Sequence, residues 1–352
     1  MRGRRLPRVF KHSIHPGFGQ PTQEVHYSYD NSNLPGSSFN FIGNGSSISW
    51  TDDGLDNLYK ITERYRYGTT ETHYAGGVAV RSIERTFNRF HLLTEEKTTQ
   101  GDKVHQVFTT YYADDNLDAP FSNQSPQCQL AKIVETRWSV GSTARSEKVL
   151  TSFDTHGNLT EQVQANGIKE TYSYFPVGGV PGECPPDPGG FVRSLREKTV
   201  TPATGQQAGA PVLRTPVTVT PLMPPLRGSV SNDWLVLTEE ALYQVNGNRE
   251  ELLQKLAYQT FNQPDNPLLH GRRQQQALTL NGLTTTTDYA YAKLNSTLVG
   301  ETVLQTTETL TVFRPWRGWQ THAQVHHPRR FVAAWSALAD PRRQRRADPL
   351  HL

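Results

Sequence analysis

Cysteine is almost missing from this chain. Only Cys128 and Cys184 occur, in polar or proline-rich surroundings and without CxxC or Cys/His spacing, so neither a disulfide framework nor a zinc site has support. No segment approaches the roughly 18 apolar residues of a membrane-spanning helix. The basic opening MRGRRLPRVFKHS lacks the apolar stretch of about 7 to 15 residues that a signal peptide requires. No His is followed by Glu and no Lys follows Gly, so the HExxH and P-loop motifs are absent, and neither GxSxG nor GxGxxG occurs. Four common enzyme signatures are thereby removed. The chain is read as non-enzymatic, with no catalytic residue, metal ligand or cofactor assigned.

Apolar residues are scarce as well, at 35% with Tyr included, and the mean hydropathy is -0.62. With 23 Pro and 27 Gly punctuating 352 residues, the composition favours many short, half-buried strands over thick helical packing. Charge is uneven. Residues 1–19 carry five basic side chains and no acid, and residues 312–352 carry eight Arg against two Asp, which leaves the middle at about -8. The middle and the ends are different kinds of polypeptide.

The middle is repetitive. Its clearest unit is FDTHGNLTEQVQANGIKETYSYF, from Phe153 to Phe175. Phe153 and Asp154 lead into a turn at His156, Gly157 and Asn158. Leu159, Glu161 and Val163 then alternate with Thr160 and Gln162 at the strand period of two. Asn166-Gly167 is a strong hairpin signal, because both turn positions need φ > 0. The return strand, Ile168 to Tyr174, places Tyr172 and Tyr174 on one face.

A second copy lies 66 residues upstream, where Phe87, Asn88, Leu93, Thr94, Glu95 and Gly101 align with Phe153, Asp154, Leu159, Thr160, Glu161 and Gly167. This copy has His91 in place of Gly157 and runs on to Tyr111-Tyr112. A third begins with Thr260-Phe261-Asn262, has Leu268-Leu269 as an echo of Leu92-Leu93, turns at Asn281-Gly282 and closes with Tyr289 and Tyr291. Tyr27-Ser28-Tyr29-Asp30 reads as the tail of a unit whose first half is missing.

The pattern F/Y-D/N-x-x-G-x-L, then a turn, then Y-x-Y, resembles the RHS/YD-repeat family of bacteria, which includes the shell-forming components of Tc-type insecticidal toxin complexes. The resemblance covers roughly residues 24 to 311, and only the unit at 153–174 matches closely. It implies a spiralling β-sheet that closes into a hollow casing around a toxic carboxyl-terminal domain. An unrelated all-β protein with hairpins of similar chemistry remains the alternative.

Between the repeats, residues 175–230 are rich in Pro and Gly. Proline fixes φ and removes a ladder donor, so this stretch is read as a surface loop outside the central sheet, with one short strand around Val192 to Val200. Trp234 to Tyr258 reads as a hairpin turning at Asn246-Gly247-Asn248, although REELLQKL within it suits one or two turns of helix. Asp114, Asn116 and Asp118 have calcium-loop spacing, but Ala119 stands where Gly is needed and Ser125 where the bidentate Glu belongs, so a solvated turn is expected. The acids around Gly54, namely Asp52, Asp53 and Asp56, receive the same reading. Tyr27, Tyr29, Tyr172, Tyr174, Tyr289 and Tyr291 fit a packing stripe better than a sugar-stacking platform. The scattered His residues have no ligand spacing.

From Val312 the repeat vocabulary stops. The tail holds three of the six Trp and four of the twelve His, and no Lys or Tyr. It reads as disordered or out of frame, with a nucleic-acid-binding arm built on Arg329, Arg330, Arg342, Arg343, Arg345 and Arg346 as the rival. Asp348-Pro349-Leu350-His351-Leu352 partly matches the family's D-P-x-G-L cleavage motif but has His351 in place of Gly.

The expected architecture is all-β, of repeated antiparallel hairpins. It comprises a basic disordered lead (1–23), repeats (24–174), a Pro/Gly-rich insertion (175–230), further repeats (231–311) and the basic tail (312–352). The expected function is a non-catalytic piece of a shell that encloses or delivers a toxin domain, exported without an ordinary signal peptide. Its expected partners are other repeat segments, toxin-complex subunits and an enclosed toxin polypeptide, with no membrane span. The alternative is a carbohydrate or cell-envelope binding module.

Overall fold

The computed structural model describes residues 8–30, 51–54, 57–60, 66–205, 210–219, 222–296, 300–314 and 318–326, with the backbone alone at 30, 58, 222, 296, 312–314 and 318–326. These residues are nearly all β, joined by turns and three short 3-10 helices, with no α-helix among them. The chain clusters into two compact units, one of Met1–Thr171 with Thr201–Gly209 and the other of Tyr172–Val200 with Ala210–Leu352.

The first unit is an antiparallel meander of β1 (Lys11–Ile14), β2 (Gln23–Asp30), β3 (Tyr67–Ala75), β4 (Val78–Phe87), β5 (Leu93–Gln100), β6 (Lys103–Tyr111), β7 (Ala131–Val140), β8 (Thr143–Phe153), β9 (Leu159–Val163) and the start of β10 (Lys169–Tyr174). Each strand pairs with its predecessor in the chain. A meander reverses at every turn, so alternate connections share an edge of the sheet. The β3–β4, β5–β6 and β7–β8 turns at one edge have two residues each. The opposite edge carries the longer 88–92, 112–130 and 154–158 connections.

The second unit repeats the arrangement with β11 (Leu195–Thr201), β12 (Val212–Thr218), β15 (Glu239–Asn246), β16 (Arg249–Thr260), β17 (Arg273–Leu280), β18 (Leu283–Ser296), β19 (Glu301–Arg314) and β20 (Gly318–His326). Between β12 and β15 lies a two-stranded ladder of β13 (Leu222–Met223) and β14 (Trp234–Leu235).

Only ten apolar side chains are buried among the described residues, and seven of them lie outside the long strands. With so little apolar surface to hide, the core gathers in the long connections. In the first unit Phe90, Ala113 and Cys128 are enclosed by Tyr59, Leu92, Tyr111, Leu117 and Phe121. Buried Arg89 anchors this cluster by donating to the Leu117 carbonyl at 2.9 Å while lying over the Phe90 ring. In the second unit Phe175, Cys184 and Val219 are packed by Val180, Val217 and Leu235.

The strands themselves are joined by their ladders and by charge. Arg85 on β4 reaches Glu71 on β3 at 2.9 Å and Glu96 on β5 at 2.7 Å. Arg214 on β12 bridges Glu197 on the adjacent β11 and reaches past β15 to Glu250 on β16, at 2.8 and 2.6 Å. Arg85 holds the Glu71 carboxyl below its ordinary range by direct hydrogen bonding.

Several expectations are corrected. The proline-rich stretch 175–230 contains β11 where a short strand was expected around Val192 to Val200, but it also contains β12, and Pro216 stands inside β12 with a sheet neighbour on each side. The ladder accommodates it by pairing Pro216 with Glu197 on one side, while toward β15 the pairs run from Arg214–Tyr243 directly to Val217–Glu240. That gap is where the missing N–H would have donated. The hairpin expected over Trp234 to Tyr258 is present as β15 and β16, turning after Asn246, and REELLQKL lies in β16, so only the helical alternative for that run falls. In the basic ends, Lys11–Ile14 and Gly318–His326 are strands.

Candidate functional site

The most specific constellation is the repeated turn after the F-D/N pair. In the 153–159 unit, Asp154 Oδ1 accepts the backbone N–H groups of His156 and Asn158, both at 2.9 Å, and Oδ2 accepts the Asn158 side-chain amide at 3.0 Å. The backbone closes beneath it, with Asp154 N–H donating to the Asn158 carbonyl and Gly157 N–H to the Asp154 carbonyl. An Asp or Asn at this position therefore substitutes for a missing ladder partner, and the third residue after it must take φ > 0. Gly157 does so at +80°. Burial opposes ionisation of Asp154, but the bonds from Asn158 and His156 outweigh it and hold the carboxyl below its ordinary range.

The copy at 87–93 forms the same turn with the same backbone bonds, but without the side-chain amide bond that Asn158 gives Asp154. Asn88 Oδ1 accepts the N–H groups of Phe90 at 2.9 Å and Leu92 at 3.1 Å, and His91 takes the left-handed position at φ +60°. The strained His91 is held from the side, its Nδ1 within 2.8 Å of the Tyr67 hydroxyl and its ring stacked on Tyr59. Burial, with Tyr59 close by, pushes the Tyr67 hydroxyl up to about 12. In both copies the aromatic and the Leu become a direct cross-strand pair, Phe87–Leu93 and Phe153–Leu159, just past a one-residue register shift.

A further copy escaped sequence reading. Asp187 Oδ1 accepts the N–H groups of Gly189 at 2.8 Å and Phe191 at 3.3 Å, Gly190 N–H donates to the Asp187 carbonyl, and Gly190 sits at φ +70°. The D-x-x-G-x-V signal was present, but Pro186 replaces the aromatic and prolines surround it. Arg193 closes on the buried Asp187 carboxylate at 2.9 Å. Pro186, Asp187 and Pro188 line an open groove of about 530 Å³ with Ser231, Asn232 and Asp233. In that groove the Asp187 oxygens are already engaged by the turn and by Arg193.

The unit beginning at Phe261 departs from the pattern. Asn266, rather than Asn262, supplies the cap, accepting Leu268 and Leu269 N–H groups at 3.0 and 3.3 Å. Leu268 and Leu269 lie in this longer turn, and β17 begins only at Arg273, so they are not counterparts of Leu92 and Leu93 in the strand sense.

The hairpin ends divide into two kinds. Asn281 and Gly282 both have positive φ, at +50° and +75°, and join Leu280 to Leu283 in a two-residue turn. At Asn166-Gly167 only Gly167 has positive φ. Gly167 N–H donates to Gln164 O at 2.8 Å, and Asn166 Oδ1 accepts the Ile168 N–H at 3.1 Å. The expectation that both positions there need positive φ is thus corrected. Gly101 begins the tight Gln100–Lys103 turn.

The tyrosines are used in packing. Tyr29 and Tyr291 donate their hydroxyls to the Val9 and Arg273 carbonyls, both at 2.9 Å. Lys198 lies 5.5 Å over Tyr172 and Arg272 5.3 Å over Tyr291. Tyr27, Tyr174 and Tyr289 are half-buried. The aromatics that open the units meet other aromatics, Phe87 stacking on Tyr67, with Phe153 edge-on to Tyr112 and Phe261 edge-on to Tyr291.

The remaining candidates have structural partners. Asp114 Oδ2 caps a 3-10 turn by accepting the Tyr111 N–H at 2.7 Å, while Asp115 pairs with Lys132 and Asp53 with Lys60. Burial raises both thiols, Cys128 and Cys184, and so favours their protonated form. Asp56, Asp348 and the tail arginines Arg329, Arg330, Arg342, Arg343, Arg345 and Arg346 lie outside the described residues. No protein-family model matches this chain, and no curated protein matches it.

Proposed function

We propose that the chain is a non-catalytic segment of an RHS/YD-type repeat shell, which encloses or delivers a toxin polypeptide together with other repeat segments. The observation that carries this reading is the capped turn at Asn88, Asp154 and Asp187, with the same acceptor atom and the same left-handed third residue each time. Consistent with it, the long sheets have few buried residues, and the strands are stabilised by neighbours in the manner of a repeat array. A bacterial, exported toxin-complex component follows from the same resemblance.

The reading is tested by co-expressing the chain with the products of the reading frames on either side of its gene. One of them is expected to copurify and to resist proteinase until denaturant unfolds the sheet. A neighbour product that fails to copurify, or stays as digestible as it is alone, rejects the shell.

A further inference from the structure

The hairpin between β1 and β2 presents an aromatic ring that the fold does not use. Gly17, Phe18 and Gly19 take φ of +77°, +50° and +73° in succession, and Phe18 is fully exposed. The turn beneath it is closed by the Gln20 N–H donating to the Gly17 carbonyl at 3.0 Å. A contact between His15 Nδ1 and the Thr22 hydroxyl at 3.2 Å ties its base. A bulky side chain in the left-handed region is strained, and Gly or Asn would occupy the position at less cost. Phe18 therefore opposes the stability of its own turn while adding no packing to it. Strain of this kind is most simply explained by a use outside the fold.

Its surroundings indicate what that use is. Val9, Phe10 and Ile14 are also exposed, at 58%, 70% and 44%, so four large apolar residues face solvent within ten positions. Residues 1–19 carry five basic side chains and no acid. Lys11 is paired with Glu24, the first acid in the chain, so the net positive charge of this stretch is that of its four arginines. An apolar tip that follows a sequence stretch with four arginines, Arg2, Arg4, Arg5 and Arg8, and no acid complements the interface of an anionic bilayer, where the ring reaches the acyl boundary and the flanking cations meet the headgroups. A polyanion without an apolar layer would satisfy the charges and leave the rings in water.

We propose that the 9–19 segment, tipped by Phe18, is a membrane-surface anchor for anionic lipid. This is independent of the shell reading, because it requires only the hairpin and the flanking charge.

The experiment is cosedimentation of the full chain with vesicles of equal parts phosphatidylserine and phosphatidylcholine, and with vesicles of phosphatidylcholine alone. Binding is expected to the first and not the second, and to weaken as salt is raised. Phe18→Asn suits the left-handed turn, so it is expected to lower vesicle affinity about tenfold or more while the thermal midpoint stays the same or rises. Phe18→Trp is expected to bind as the parent does, and its emission after subtraction of the parent's six-tryptophan spectrum is expected to shift to the blue on vesicles. Equal binding by the parent and Phe18→Asn would assign the contact to charge alone and overturn the proposal. So would no binding to the anionic vesicles, or an unshifted difference spectrum of Phe18→Trp against the parent.

Discussion

Asp154 holds Asn158 twice, through the backbone N–H at 2.9 Å and the side-chain amide at 3.0 Å. Asp154→Ala removes both bonds and that to His156, and is expected to lower unfolding free energy by about 2 kcal/mol in urea titration. Asp154→Asn retains the Oδ1 acceptor and is expected to cost less than half as much. The carboxyl is held below its ordinary range in the fold, so its contribution is complete above the unfolded value, about pH 4, and fades as pH falls through the folded value. Stability of Asp154→Asn should accordingly change less than that of the parent between neutral and strongly acid pH. Equal slopes would remove the carboxylate from the turn.

Asn88 makes the converse case. It is 4% exposed, and its Nδ2 has no hydrogen-bond partner among the described residues. The position that offers an amide to Asp154 is filled here by Leu92. Asn88→Asp would bury a carboxylate oxygen with nothing to donate to it, and is expected to cost about 2 kcal/mol or more at neutral pH. Protonation in acid should recover part of that loss. A variant as stable as the parent at pH 7 would show that the site admits a charge.

His91 separates backbone strain from side-chain contact. His91→Ala loses the Tyr67 bond and the stacking on Tyr59 while keeping a Cβ at φ +60°. His91→Gly loses the same contacts and the strain with them. The Gly variant is expected to be the more stable of the two by about 1 kcal/mol in chemical denaturation. The reverse order would mean that Ala carries no penalty in this turn.

Two adjacent glycines in the proline-rich stretch should behave oppositely. A Cβ on Gly179, at φ +70°, would collide with the Cys184 carbonyl oxygen and stand 2.5 Å from the Pro185 carbonyl carbon, both backbone atoms. A Cβ on Gly178 would meet nothing within 4 Å. Gly179→Ala is expected to open the Phe175–Cys184–Val219 cluster, at a cost above about 3 kcal/mol, and Gly178→Ala to stay within about 0.5 kcal/mol. Thermal melts with a thiol-reactive probe of buried Cys184 would report both.

What was readable in the sequence was the chemistry that acts locally. The F-D-x-x-G-x-L spacing is legible because Asp154 makes its bonds to residues two and four positions on, so the motif carries its own geometry. Asp187 performs the same task but was hidden, because Pro186 replaces the aromatic taken as the marker while the capping atoms are unchanged. REELLQKL was legible as the return strand of a hairpin through the Asn246-Gly247-Asn248 turn, against its own local propensity. Its residues favour helix individually, whereas pairs such as Ala241–Lys255 and Val245–Glu250 hold it as strand through a neighbour that a local window does not weigh. The second cluster joins Phe175, Cys184 and Val219 from three segments, so no periodicity announces it.

Within each unit the long strands pair with their nearest long-strand neighbours along the chain. The sequence separations that must be closed are therefore mostly those of single hairpins, and relative contact order is low for an all-β protein. Assembly can start at any capped turn and advance one strand at a time, without the slow search of a Greek key. A broken ladder then propagates no farther than the two strands that share it, so each unit should fray from its edges in steps rather than fail as a whole.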